Sequence, residues 1–365
     1  MPLDRTIVRD RVLSGDRTVA PDFCKLWLRL VSRTFALNIR ILPKELEETV
    51  RLAYLFMRIA DTIEDDRTME PELRKDLLDR FVACFAPVGS DPERVDEFLQ
   101  ALPASWKTES HPDLFLVAHT DLVFEVFAGV RADRRAAVEE RVREMCSGMV
   151  HYALKRESDG WFRLDTRQEL LDYCYFVAGT VGLMLTELFA AEGFSSARKE
   201  KLRANSVAFG LALQLVNIAR DIPADGTRRT VFVPEEMCRA RGIEPAQLWE
   251  TEFRPKAKDV LLDLVRLADR EIRMAQAYIL DLPRLSWRLR LFCLWPLLMA
   301  QDTLIVLASH PEAALDPTKR AKIGRGQVRR ILWKTSASCW SDLMLRYQFN
   351  RRNRALAQLL REPTT

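Results

Sequence analysis

The sequence predicts an all-α protein. Three observations carry this expectation. Only 13 glycines occur in 365 residues, apolar residues recur at the helical period over most of the chain, and no apolar–polar alternation runs long enough to build a sheet. Leu, Ala, Arg and Glu, all good helix formers, dominate the composition. The periodicity predicts helices over roughly 22–39, 44–65, 71–85, 93–102, 112–129, 133–154, 167–192, 198–222, 257–280, 285–309 and 326–360. Pro, Gly and polar clusters separate them, such as Ala86-Pro87-Val88-Gly89-Ser90 and Pro223 to Thr230. No fixed-period repeat and no linker-like stretch interrupts the pattern. Residues 1–365 therefore read as a single all-helical domain, with a core over about 22–335 and a last helix reaching about 360.

Composition narrows the functional classes. With 48% apolar and 30% charged residues the chain can bury a large core. Its 56 basic and 52 acidic residues leave a net charge of +4, which is no nucleic-acid footprint but suits a small anionic ligand. The opening Met1-Pro2-Leu3-Asp4-Arg5 has no apolar run, and Arg361-Glu362-Pro363-Thr364-Thr365 is no anchor. The most apolar stretch, Leu289 to Ala308, carries Arg290, Gln301 and Asp302, and its uninterrupted part, Leu291 to Ala300, is about half of a bilayer span. Seven scattered cysteines without a C-x-x-C pair fit a reduced compartment. A cytoplasmic protein, at most peripheral to a membrane, is expected. The four histidines lack metal-ligand spacing. Dinucleotide, P-loop and nucleophile-elbow signatures are absent, and Gly324-Arg325-Gly326 is too short and basic to replace them.

Two polar stripes interrupt apolar helices. Tyr54, Arg58, Asp61 and Asp65 stand at i, i+4, i+7 and i+11, which places them on one helix face. Gln214, Asn217, Asp221 and Asp225 stand at i, i+3, i+7 and i+11, amid Leu211, Leu213, Leu215, Val216, Ile218 and Ala219. A helix apolar around most of its circumference is buried, so its polar stripe must face a partner, a cavity or a ligand. Carboxylates in such a place resist joint ionisation unless a cation joins them. Magnesium takes one or two carboxylates together with substrate phosphate, and Asp61, Glu64 and Asp65 with Asp221 and Asp225 are its candidate ligands. A lone D-x-x-E-D is most often a solvated acidic face, and Arg58 and Arg220 alone would be ordinary ion-pair partners. Two matched stripes in one chain, each with an arginine, favour a shared function.

Four motifs in order resemble the squalene/phytoene synthase family. They are Ser32-Arg33-Thr34-Phe35, Asp61-Thr62-Ile63-Glu64-Asp65, Tyr173-Cys174-Tyr175-Phe176-Val177-Ala178-Gly179-Thr180-Val181-Gly182, and Asn217-Ile218-Ala219-Arg220-Asp221 through Asp225. The resemblance implies an isoprenoid synthase fold, a helical bundle around a central cavity capped by two magnesium-binding aspartate clusters. It also implies a prenyl diphosphate substrate, and catalytic roles for Tyr54, Asp61, Asp65, Phe176, Asp221 and Asp225. Ser32, Arg33, Phe35, Arg58, Tyr173, Gln214, Asn217 and Arg220 would bind substrate. Phe292-Cys293-x-x-Pro296 and Lys322-Ile323-Gly324-Arg325-Gly326-Gln327 resemble elements of the squalene-forming branch, where the second is associated with NADPH. Lys322 and Arg325 are thus candidate contacts for the cofactor's phosphates, against the plainer reading of Asp316 to Lys334 as a solvated basic surface. The reaction so implied joins two farnesyl diphosphates head to head through presqualene diphosphate, then reduces the product to squalene.

Three departures keep other readings open. Phe176 stands where that branch usually carries a tyrosine, so it offers an aromatic face but no proton. Tyr54 would then act in its place, with released diphosphate as the base. Ala224 replaces a common glutamate beside Pro223, and Arg228 and Arg229 match the family's loop arginine only to within a residue or two. A synthase of the phytoene, dehydrosqualene or presqualene diphosphate type without hydride transfer fits the same motifs. So does a class I terpene cyclase acting on one prenyl diphosphate, and outside enzymes a helical interaction protein with a decayed site.

Overall fold

The computed structural model describes residues 4–361 apart from 67, 87–88, 109–110, 156–159, 320 and 322. The described residues are almost entirely helical, and strands are confined to two pairs of two residues each. They divide into two compact units, one drawn from 1–154 with 187–193 and the other from 155–186 with 194–365.

The first unit contains α1 (Arg5–Leu13), α2 (Ala20–Val31), α3 (Arg33–Ile39), α4 (Lys44–Asp65), α5 (Pro71–Ala83), α6 (Pro92–Ala101), α7 (Ala104–Thr108), α8 (Pro112–Ala118), α9 (Thr120–Ala128) and α10 (Ala132–Ala153). The helix predicted over 22–39 is two helices. Ser32 lies in extended backbone at φ −152° and ψ 104°, and its hydroxyl accepts the Phe35 N–H at 3.3 Å, capping α3. The helix predicted over 112–129 likewise breaks at His119, whose backbone is not helical. By contrast α4 spans the residues expected of it. It packs against α5, α8, α9 and α10, and Phe56 on its buried side meets Phe81, Phe85, Phe124 and Phe127. Buried Arg141 of α10 is held by Glu144 at 2.6 Å and Glu187 at 2.9 Å, so its charge is compensated.

The second unit contains α11 (Arg167–Cys174), a π-helical turn (Tyr175–Gly179), α12 (Thr180–Ala190, of which Glu187 onward belongs with the first unit), α13 (Ser196–Thr227), α14 (Glu235–Arg239), α15 (Arg254–Asp281), α16 (Trp287–Ser309), α17 (Pro311–Ala314), α18 (Arg325–Ser336) and α19 (Asp342–Leu359). The single helix expected over 326–360 is α18 and α19, because Ser341 in extended backbone caps α19 through the Met344 N–H. Near their crossing, α12 and α13 touch backbone to backbone. A Cβ added to Gly182 would lie 1.9 Å from the Ser206 carbonyl oxygen, and one added to Gly210 would lie 2.0 Å from that of Ala178. Glycine is required at both for lack of space. Gly182 and Gly210 are thus the two points at which these backbones meet.

Polar residues in the most apolar helix find buried partners. Arg290 donates to the carbonyls of Leu282 and Cys339 and to Asp342. Asp302 accepts from Arg352 at 2.6 Å and from Gln327 at 3.0 Å, and Gln301 donates to Asn353 at 2.6 Å. These bonds dock α18 and α19 on α16. Three stretches, Arg167–Ala190, Ser196–Thr227 and Trp287–Ser309, have the length and hydropathy to cross a membrane, and between 61% and 78% of each apolar window is buried inside the protein. All seven cysteines are free and buried. Burial pushes the thiols of Cys24, Cys84 and Cys238 up to about 12, and those of Cys146, Cys174 and Cys293 higher still.

Glycine to alanine inside a helix is ordinarily favourable by about 1 kcal/mol. Gly182→Ala should instead destabilise the protein by about 1–3 kcal/mol, because the methyl collides with a fixed carbonyl. Urea unfolding of the variant checks this, and unchanged or increased stability would contradict the close approach.

Candidate active site

Both predicted stripes survive as the accessible face of an otherwise buried helix. Along α4, Tyr54, Arg58, Asp61 and Thr62 are half-buried and Asp65 is exposed, while Leu52, Ala53, Leu55, Phe56, Met57, Ile59, Ala60, Ile63 and Glu64 are buried. Along α13, Leu213, Gln214, Asn217, Arg220, Asp221 and Asp225 are half-buried amid buried Leu211, Ala212, Leu215, Val216, Ile218, Ala219 and Ile222. Each helix thus spends its apolar residues on packing and offers one polar edge. Glu64 departs from the expectation. It is 2% exposed, on the packed side of α4 beside buried Ile63 rather than on the accessible edge that holds Asp61 and Asp65.

In the first unit the structure assembles Ser32, Phe35, Tyr54, Arg58, Asp61 and Asp65. Burial is the main reason the Tyr54 phenol holds its proton above the usual range, with the neighbouring Ser32 side chain opposing it. The Phe35 and Tyr54 rings lie 5.7 Å apart. Arg58 Nε donates to Asp113 Oδ1 at 2.8 Å, and His111 Nδ1 lies 3.5 Å from the other oxygen of Asp113. Burial works against the Arg58 charge and is outweighed by Asp113, with Asp61 adding to the effect. Burial and then the neighbouring Asp65 push the Asp61 carboxyl up to about 8, with Arg58 opposing them.

In the second unit, Arg220 grips Asp221 through two guanidinium contacts, one of them 2.9 Å from Nε to Oδ1. The α13 helix continues through Pro223 to Thr227, past the predicted end near 222, which keeps Asp225 on the regular helical face. Trp249 explains how this last turn is held. Its indole Nε1 donates to the Ile222 carbonyl at 3.1 Å, and a Cβ on Gly226 would lie 2.5 Å from its ring. Tyr173 is buried and stacks on Phe232 at 5.0 Å. Phe176 lies in the π-turn, whose residues 175–178 are half-buried, and its ring is 5.3 Å from that of Tyr175. Arg229, in the loop after the aspartates, adopts φ 56°, a left-handed conformation uncommon outside glycine. Arg325 is exposed at the first position of α18. Lys322 and the side chain of Arg33 lie outside the described residues.

Sequence reasoning missed Asp113, Trp249, Phe232 and the π-turn. Pro112-Asp113 opens a short helix with no stripe to mark it, and the indole acts from a 3₁₀ turn distant in sequence. The π-turn leaves no periodic signature, although such turns gather at functional sites.

The donor set fits magnesium. Among the described residues, no three His, Cys, Asp or Glu side chains form a cage of their own. Hard oxygen ligands in pairs, completed by water and phosphate, are what this ion accepts. A carboxyl that keeps its proton to about 8, as Asp61 does, is one whose ionisation a cation would favour.

The chain belongs to the squalene/phytoene synthase family, whose sequence profile matches residues 28–327. The squalene synthase of Schizosaccharomyces pombe is 29% identical to it over 329 residues, covering 89% of this chain and 67% of that protein. That of Solanum lycopersicum is 28% identical over 322 residues, covering 86% and 70%. The fold matches that of TcSQS solved with a ligand at a TM-score of 0.72 and 20% identity, over 93% of this chain and 98% of the other. It matches a dehydrosqualene synthase in complex with ligand at 0.58 and 18% identity, over 88% and 97%. The all-α isoprenoid synthase fold and the prenyltransferase class follow.

The raised Asp61 carboxyl has a consequence for stability. It stays protonated in the folded chain up to about 8, whereas its ordinary value is 3.8. The stabilisation present below that ordinary value is therefore lost as pH rises through the folded one. Without metal or substrate, Asp61→Asn should melt at least about 2 °C above the parent protein at alkaline pH, with the gap closing toward pH 4. A gap independent of pH would place Asp61 in water.

Proposed function

We propose that the protein is a squalene synthase: it condenses two farnesyl diphosphates head to head through presqualene diphosphate and reduces the product to squalene with NADPH. The observation that carries the reading is the pair of buried helices whose accessible edges hold Asp61 and Asp65 with Arg58, and Asp221 and Asp225 with Arg220. Squalene synthases at 28–29% identity over most of the chain support it. Residues 1–365 are taken as one catalytic domain whose activity needs both acidic edges, in a cytoplasmic protein that meets membranes peripherally.

The chain's own residues divide the work. Asp61, Asp65, Asp221 and Asp225 would hold magnesium, which supplies positive charge for a departing diphosphate. Glu64, buried off the stripe, is not counted among these ligands. Arg58 and Arg220, each oriented by a carboxylate, and Ser32 bind phosphate oxygens, with Arg33 as a further candidate. Gln214 and Asn217, on the same accessible edge as Asp221, orient the substrate head. The apolar surroundings exclude water from carbocations, and Phe35, Tyr54, Tyr173 and Phe176 offer aromatic faces to them. Because Phe176 has no hydroxyl, Tyr54, half-buried on the same edge as Arg58 and Asp61, would move a proton in its place. Lys322 and Arg325 would bind the phosphates of NADPH.

Product analysis tests the proposal. Purified protein with farnesyl diphosphate and Mg²⁺ should yield squalene only when NADPH is added. Presqualene diphosphate or dehydrosqualene under all conditions would shift the reading to a synthase without hydride transfer, as Phe176 allows, and a cyclic sesquiterpene would overturn it.

Two substitutions probe the roles. Asp221→Asn should lower turnover at least about 100-fold, the scale of a lost electrostatic contact in a transition state. Near-normal rates would refute the metal assignment. Phe176→Tyr should change turnover little if Tyr54 already supplies the proton step, and a large gain would show the native site to lack that function.

A further inference from the structure

The last two helices display an outer face that the fold does not use. Their inner residues Ile331, Thr335, Leu345, Phe349, Arg352 and Leu356 are buried, and Trp295 donates to the Thr335 hydroxyl at 2.9 Å beneath them. On the outside, Trp333 is 76%, Leu343 80% and Tyr347 70% exposed, with Trp340 and Met344 exposed beside them. Five large apolar side chains thus lie in water within 15 residues, read from Trp333 to Tyr347. Scattered exposed apolar residues are normal, but a cluster of this kind marks an interaction surface.

The charge of the same face is one-sided. From Ile323 to Arg361 there are nine basic residues and one acid, Asp342. That acid is already engaged by Arg284 and Arg290, and one of the bases, Arg352, is buried against Asp302. Arg329, Arg330, Lys334, Arg346, Arg351 and Arg354 are all exposed. Helical spacing puts Leu343, Met344, Tyr347, Arg351 and Arg354 within one arc of α19, and Arg330, Trp333 and Lys334 within one arc of α18. The two arcs border a common groove of about 940 Å³, lined among others by Arg330, Trp333, Lys334, Met344, Tyr347 and Arg351.

We propose that this face of α18 and α19 docks on the surface of an anionic lipid bilayer. Tryptophan and tyrosine settle at the headgroup level, leucine and methionine reach the acyl boundary, and arginines and lysines meet lipid phosphates. A second copy of the chain is a poor occupant. A self-complementary contact would set this positive face against itself, with no free acid on it among the described residues to compensate. The choice of lipid over an acidic protein draws on the proposed reaction, whose product is a hydrocarbon that water does not dissolve.

Co-sedimentation of the full chain with vesicles tests this. The protein should bind mixed phosphatidylglycerol–phosphatidylcholine vesicles and not pure phosphatidylcholine, with affinity falling as salt is added. The double substitution Lys334→Ala with Arg351→Ala should weaken binding at least about tenfold, given the contribution of each base near such a surface. Trp333→Ser with Leu343→Ser should weaken it comparably and reduce the blue shift of tryptophan emission on vesicle addition, Trp340 accounting for what remains. Melting temperatures equal to the parent's show that the variants fold. Unaltered binding by folded variants would overturn the proposal, as would failure of the parent protein to bind anionic vesicles. Equal affinity for soluble polyglutamate would also overturn it and assign the face to an acidic protein. A concentration-dependent mass abolished by the same substitutions, without vesicle binding, would assign it to self-association. The assay involves no turnover, so its failure leaves the prenyltransferase reading standing, and a wrong product assignment leaves the vesicle result intact.

Discussion

One carboxyl held largely out of water, that of Asp61, is the constraint around which the first unit is organised. Asp61 sits on the one edge of α4 that the core leaves open, close enough to Asp65 and deep enough to keep its proton to about 8. A protein gains nothing in stability from such a placement. The rest of the first unit accommodates it: Ser32 breaks the preceding helix and caps the next through the Phe35 N–H, and Asp113 compensates Arg58 one turn before Asp61. The apolar remainder of α4 is locked by the phenylalanine cluster. The helix therefore cannot rotate Asp61 further into solvent without opening the core.

The second acidic helix is fixed by other means. At its middle, backbone meets backbone through Gly182 and Gly210. At its end, Trp249 fills the space over Gly226 and bonds the Ile222 carbonyl. Pro223 removes one donor from the helix, yet the helix continues to Thr227. Asp221 and Asp225 thus remain one turn apart on a regular surface, with Arg220 binding the first.

Much of this was legible in the amino-acid order because burial writes itself as periodicity. The extent of α4 and both polar stripes follow from the spacing of apolar side chains, and the family from four motifs in order. What escaped depends on tertiary partners or on single backbone angles. Nothing near Asp113 announces that it will meet Arg58, since the two are 55 residues apart. The π-turn at Tyr175–Gly179 changes the helix by one residue without changing its composition. Glu64 shows the opposite difficulty: an acid beside two accessible acids reads as a third, although packing around α4 buries it.

The seven buried thiols give the molecule a built-in witness to its own opening. A sulfhydryl with its proton held at about 12 or above is a poor nucleophile at neutral pH, and none is covalently committed to a partner. They are spread over both units, from Cys24 to Cys339. Alkylation in native buffer would thus proceed only as fast as each region transiently exposes its interior. Peptide-level mapping of the modified sites would rank the local breathing of the chain without any engineered label.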